Sequence, residues 1–205
     1  MSEVQAARSG TRFPLLISMS VFDMLRWPAL LLGSCSYIVW VIIAQMPLFA
    51  EHVSLLGFIV GALTLVALFS LVAPRLSYVQ CCPKYLLVRG PLYRLAVSYR
   101  RINSVSLADF SDFYLISEQS WGARRFLTHL FQRSSAKRIT VIRIELTSLP
   151  FSYIWLRLWF NRYLFTVDEN GMLLVVRDWM LLKREIDLYR TLFRERVARG
   201  DISYQ

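Results

Sequence analysis

Two runs of the chain stay free of charge for long enough to cross a lipid bilayer, and this rules out most folds open to 205 residues. The first starts at Trp27, passes through Leu30-Leu31-Leu32 and Ile38-Val39-Trp40-Val41-Ile42-Ile43 to Ala44, and meets no charge before Glu51. The second runs from Val53 to Ala73 and stops at Pro74-Arg75. A helix climbs about 1.5 Å per residue, so about 20 residues cross the roughly 30 Å hydrocarbon layer. Spans are therefore expected from Trp27 to Ala44 and from Val53 to Ala73, a transmembrane helical hairpin over residues 27–74. A helix of a soluble protein normally keeps a polar face for water, whereas Leu55 to Val72 offers only Gly57, Gly61, Thr64 and Ser70 as relief. A signal peptide fits poorly, because 26 residues with few positive charges precede the first run and a second apolar run follows it directly. Gly57 and Gly61 form a small-residue spacing that suits a close helix crossing.

Charge sets the expected orientation. Residues 1–26 carry Arg8, Arg12 and Arg26 against Glu3 and Asp23, and the link from Gln45 to His52 has no Lys or Arg. Arg75, Lys84, Arg89, Arg94, Arg100 and Arg101 follow the second run. Basic flanks stay on the cytoplasmic side, so a multi-pass protein with both termini cytoplasmic and the link outside is expected. Residues 1–26 form a cytoplasmic segment in which Phe13 to Leu25 either lies in the membrane interface or lengthens the first helix. Trp27, Tyr37, Trp40 and Tyr78 are the aromatic residues placed to act as interfacial anchors, although Tyr37 and Trp40 equally suit packing inside the helix pair.

Residues 75–205 change texture to short pieces separated by turn residues, as expected of one basic domain. Leu76 to Cys82, Tyr85 to Arg89 and Leu92 to Ser98 read as strands around the Gly90-Pro91 turn. In Arg138 to Leu149, Ile142, Ile144 and Leu146 alternate with Val141, Arg143 and Glu145, the period of a half-buried strand. Tyr163 to Val167 and Met172 to Val176 read as a hairpin around Asp168-Glu169-Asn170-Gly171, whose last two residues tolerate positive φ. Asp178 is placed to cap a closing helix with Leu182, Ile186, Tyr189, Phe193 and Val197 on one stripe and Gly200 past its end. Two further segments, Trp121 to Arg133 and Tyr153 to Phe160, mix large aromatics with cations, and both are too short to span.

Little in the chain points to catalysis. The two histidines, His52 and His129, are expected on opposite sides of the membrane, and Cys35, Cys81 and Cys82 have no partners for a tetrahedral metal site. No metal and no cofactor is expected. No glycine-rich phosphate cradle, zinc-protease helix or nucleophile elbow occurs. Asp109 and Asp112 read as a solvated turn rather than a carboxylate pair. The charge is more informative: from Arg75 onward there are 21 Lys plus Arg against 11 Asp plus Glu, a balance of +10. Anionic lipid attracts such residues by roughly 1 kcal/mol each near the surface. Nucleic acid fits the charge as well, but no DNA- or RNA-reading motif accompanies it.

The order of two spans, several strands and one closing amphipathic helix resembles the bacterial pleckstrin-homology-like membrane proteins. The local text behind the resemblance is Tyr85-Leu86-Leu87-Val88-Arg89-Gly90-Pro91-Leu92-Tyr93-Arg94, followed by Val97-Ser98-Tyr99-Arg100-Arg101-Ile102-Asn103-Ser104-Val105. The resemblance implies a helical hairpin, then two packed antiparallel sheets with a C-terminal capping helix, in the bacterial inner membrane. The stretch 106–137 is longer, more basic and more aromatic than the family's simplest form. The expected function is a non-enzymatic membrane-anchored scaffold or accessory subunit that binds a membrane-protein partner or a second copy. The alternatives are an anionic-lipid-binding module and a membrane enzyme. Arg100, Arg101, Arg124, Arg125, Lys137 and Arg138 are the candidate contacts for phospholipid or partner.

Overall fold

A computed structural model describes residues 10–45, 53–115, 118–134, 138–166 and 170–200. Glu51 and His52 of the link, Lys137, and the Asp168-Glu169 pair lie outside the described residues. Two long helices come first, α1 (Leu16–Ala44) and α2 (Val53–Leu76). Both are long and apolar enough to cross a membrane, and only 6% of the most apolar window of α1 and 17% of that of α2 is buried. A core helix of a soluble protein shows the reverse, with its apolar windows mostly covered. Ser20 Oγ, near the start of α1, is buried without a hydrogen-bond partner among the described residues, whereas deeper in the apolar runs Ser34 donates to the Leu30 carbonyl and Thr64 to the Val60 carbonyl. That is the economy required where no water is available.

α1 begins well before the first apolar run. Its 29 residues reach about 43 Å at 1.5 Å per residue, more than the hydrocarbon layer needs. The surplus lies at its start, where Leu16 and Ile17 are buried and Met19, Val21 and Met24 pack against the domain. Of the two expectations for residues 13–25, the structure takes a lengthened helix from Leu16 onward. The helices are pinned by an edge-on contact between Phe22 and Phe69 at 5.9 Å. Gly57 admits Trp40, whose indole nitrogen stands 3.3 Å from where a Cβ would sit, but Gly61 has nothing within 4 Å. The small-residue pair therefore makes one close contact, not a continuous crossing.

The strands form two antiparallel sheets. The first holds, in spatial order, β1 (Arg12–Pro14), β2 (Tyr78–Cys81), β3 (Tyr85–Arg89) and β4 (Arg94–Ser98). The second holds β5 (Ile102–Asp109), β6 (Thr140–Leu146) and β7 (Gly171–Leu174). Helices α3 (Trp121–Ser134), α4 (Tyr153–Trp159) and α5 (Trp179–Ala198) complete the chain. β1 was not expected from the sequence. It occupies a sheet edge, where Pro14 is tolerated because no neighbour needs its missing N–H. Pro14 stands opposite Tyr78 and Arg12 opposite Gln80, so the strand before α1 and the strand after α2 are neighbours in one sheet. The Glu185 carboxylate on α5 locks this edge, accepting from Thr11 N at 3.0 Å and Thr11 Oγ1 at 2.9 Å.

Two cores follow from the layers. β6 serves both, as its alternation anticipates: Ile142, Ile144 and Leu146 enter a core with β2, β3, β4 and the Leu182-Ile186-Tyr189 stripe of α5. Val141 turns the other way, into a second core of Phe110, Tyr114, Tyr163 and the buried side of α3.

Two local expectations are corrected. Arg162 to Leu164 form a turn of 3-10 helix instead of a strand, and Phe165 bridges to Met172, while Val167 lies outside the described residues. Tyr163 is thereby freed to pack into the second core. Gly171 is required by closeness, since a Cβ there would stand 2.7 Å from Thr166 Oγ1. Asp178 precedes α5 but its side chain makes no capping hydrogen bond, whereas Gly200 ends the helix with φ 79° as a glycine past a C-terminus should.

Candidate functional site

The segment from Trp121 to Ser134 folds as a helix because its apolar residues recur at helical spacing. Phe126, Leu127 and Leu130 are buried, and the Phe126 ring stacks on Tyr163 at 5.3 Å. This face is committed to the second core, together with Leu16 and Ile17 of α1. The polar residues Arg125, Thr128, His129 and Gln132, spaced by three, one and three, consequently share another side of the helix.

That side meets α1 across a cleft of about 870 Å³. α3 contributes Arg125, Thr128, His129 and Gln132, while α1 contributes Asp23, Trp27, Leu31 and Leu32 among its lining. One wall is thus the first expected membrane run, and the other is cationic and hydrogen-bonding. The Arg125 guanidinium also lies over the Trp121 ring, 5.9 Å from its centre. His129 Nδ1 is enclosed and has no hydrogen-bond partner among the described residues. Trp27 is 69% exposed, so the apolar end of the cleft opens outward beside a large aromatic ring.

The expected basic contacts do not share one place. Arg125 lines the cleft, whereas Arg124 donates from Nε to the Gln119 carbonyl at 2.7 Å and braces the start of α3. Arg138 is exposed and stands 3.9 Å from Asp109 at the end of β5. Arg100 and Arg101 form a turn before Ile102, at the opposite end of that strand. Seven steps of a strand put about 23 Å between the two ends. Asp109 and Asp112 act as turn chemistry: Asp109 accepts from Ser111 N, and Asp112 accepts from Asp109 N.

Asp23, His129 and Gln132 were not among the expected contacts. Their own signals were present, since Asp23, Trp27 and Leu31 recur every four residues on α1. The docking of that row against α3 was what no local pattern carried.

Elsewhere the buried titratable groups are set away from reactivity. Burial pushes the Cys81 thiol and the Tyr99 phenol up, so Cys81 stays protonated and is a poor nucleophile. Burial also pushes Tyr114 up to about 12, and its hydroxyl donates to the Phe165 carbonyl at 2.7 Å and the Arg162 carbonyl at 3.2 Å. Among the described residues, no three His, Cys, Asp or Glu side chains gather as a metal site. No family model, no curated protein and no solved structure matches the chain.

Proposed function

We propose that the chain is a membrane-anchored, non-catalytic recognition module of pleckstrin-homology-like design, and that the cleft between α1 and α3 takes the headgroup of an anionic phospholipid. The observation that carries this reading is the composition of the cleft walls. Leu31 and Leu32 suit an acyl chain, and Trp27 suits the boundary. Arg125, Thr128 and Gln132 offer donors to a phosphate, with Asp23 the one carboxylate in the lining. α3 carries Arg124, Arg125 and Arg133 and no acidic residue. The pairing of β1 with β2 supports the hairpin, because two spans that start and end on neighbouring strands must leave and return on one side. The basic balance of residues 75–205 then favours the cytoplasmic face of a bacterial inner membrane.

The test is native mass spectrometry of the full chain released from membranes of mixed phosphatidylglycerol and phosphatidylcholine. Retention of phosphatidylglycerol over phosphatidylcholine, lost in Arg125→Ser, is expected. Equal retention of the two lipids by the native chain would overturn the reading.

A second reading, a scaffold for a membrane-protein partner, is favoured by the outer face of α5. Leu181 and Leu188 are 59% and 54% exposed there and lie two helical turns apart. A stoichiometric partner that co-purifies with the native chain but not with Leu188→Glu, with lipid retention unchanged, would establish that role.

A further inference from the structure

The strands of the first sheet have one end that faces the same way as the hairpin. Pro14 leads into α1 and Tyr78 follows α2, and the two residues are paired. Tyr78 in turn stands opposite Arg89, and Arg89 opposite Arg94. The turn from Gly90 to Tyr93 therefore projects from the end of the sheet through which both helices leave the domain. Leu92, at its tip, is 69% exposed.

α4 is fastened to this turn. Tyr93 stacks on Trp159 at 5.7 Å and meets the Phe151 ring at 6.2 Å. Phe160 fills the space beside Gly90, 3.1 Å from where a Cβ would be. Leu156 is the side chain that turns fully inward, and Ile154 and Leu158 are left 84% and 69% exposed on the other side. Trp155 and Phe151 extend the same apolar surface. Cations border it: Arg94 is exposed beside the turn and Arg157 lies on α4 over the Tyr153 ring, while Arg89 turns to Tyr78 and Arg162 to Gln119 and Tyr163. Neither Lys84 to Ala108 nor Thr147 to Thr166 contains an acidic residue. An exposed apolar patch whose own segments carry cations and no carboxylate is costly in water and suits the headgroup boundary of an anionic leaflet.

We infer that α4 and the β3–β4 turn dip into the membrane face from which α1 and α2 emerge, giving the domain a second, monotopic hold on the bilayer. This rests on reading α1 and α2 as spans and is independent of the lipid cleft. Arginine suits the rim because its long stem lies along apolar surface while the guanidinium stays at the phosphates. The domain is then held at two places and lies against the leaflet instead of swinging from the hairpin.

The experiment uses the full chain in nanodiscs of phosphatidylglycerol and phosphatidylcholine, with photoreactive benzoylphenylalanine at one position at a time. Ile38 in α1 reports the spans, Ile154 and Leu158 report the patch, and Lys84, in the turn at the far end of the sheet, is the control. Lipid adducts are expected at Ile38, Ile154 and Leu158 and not at Lys84. Arg94→Glu combined with Arg157→Glu is expected to cut the adduct at Ile154 and leave that at Ile38 unchanged. Adducts at Ile38 without adducts at Ile154 or Leu158 overturn the inference and leave the spans standing. Protein-to-protein crosslinks at Ile154 in place of lipid adducts overturn it in favour of a second copy. Absence of lipid at Ile38 removes the spans and the inference with them.

Discussion

α3 and α4 are written in the same chemistry, large aromatics interleaved with arginine, yet they turn opposite sides outward. α3 has 14 residues, enough for a full buried stripe, and it hides Phe126, Leu127 and Leu130. Its cations and amides are then what the surroundings meet. α4 has 7 residues, turns Leu156 fully inward, and leaves Ile154 and Leu158 uncovered. Length decides the difference. A helix of four turns can commit one face to a core and another to a ligand, while one of two turns has too few positions to cover its own apolar residues. Composition alone ranks the two segments together, and the fold separates them into a polar cleft wall and an apolar patch.

The strongest challenge to this contrast is a matched pair of substitutions. Leu127→Asp should cost about 4 kcal/mol or more, since it leaves a cavity and buries a charge. Ile154→Asp should change stability by less than about 0.5 kcal/mol, as surface changes do. Thermal unfolding of the full chain in detergent reads both, and equal losses would erase the distinction.

A smaller effect is expected at Tyr114, whose hydroxyl ties the second core to the Arg162 and Phe165 carbonyls just after α4. Tyr114→Phe should cost about 1–2 kcal/mol by leaving the buried Phe165 carbonyl short of this donor, while the Arg162 carbonyl keeps the Phe165 N–H. The same group gives a pH signature. Its phenol is raised from 10.0 to about 12. Below the lower value both states keep the proton. Between the two values the unfolded chain releases its proton first, so stability falls as pH rises through that window. Tyr114→Phe should flatten that fall, and urea unfolding from neutral to alkaline pH measures it.

Arg125→Ser should leave the thermal transition in place and reduce phosphatidylglycerol retention about fivefold, the weight of about 1 kcal/mol for one basic side chain near an anionic surface. Added salt should weaken retention by the native chain more than by the variant. Arg124→Ser should do least: it loses a brace to the Gln119 carbonyl, and retention should stay within about twofold, as for an exposed side chain outside the contact. Equal losses from Arg124→Ser and Arg125→Ser in the retention assay would return the two arginines to one undivided patch.

Much of the architecture was legible where a single period runs unbroken. Tyr85 to Arg89 and the Ile142-Ile144-Leu146 alternation appear as strands, and the Leu182-Ile186-Tyr189 stripe faces the core. β1 was hidden because three residues, one of them proline, carry too little pattern and run straight into a helix of similar hydrophobicity. Tyr163 to Leu164 misled because apolar residues flanking a Gly turn read as a strand, while the second core drew Tyr163 against Phe126 and Tyr114. The cleft was half legible. Arg125 stood out by charge, but the row of Asp23, Trp27 and Leu31 opposite it depends on a tertiary contact between α1 and α3.

The pairing of β1 with β2 also orders events during biosynthesis. Arg12 is made before its partner Gln80, which follows 68 residues later in the chain. At roughly 5–20 residues per second the first strand waits about 3–14 seconds, and both long helices are synthesised within that interval. The sheet can close only once the chain beyond α2 has come back to where β1 lies. A chain whose two long helices fail to return side by side leaves β2 with an unpaired backbone edge, the form that invites aggregation. Closure of this edge therefore depends on the two long helices lying side by side, which couples the folding of the first sheet to the pairing of α1 with α2.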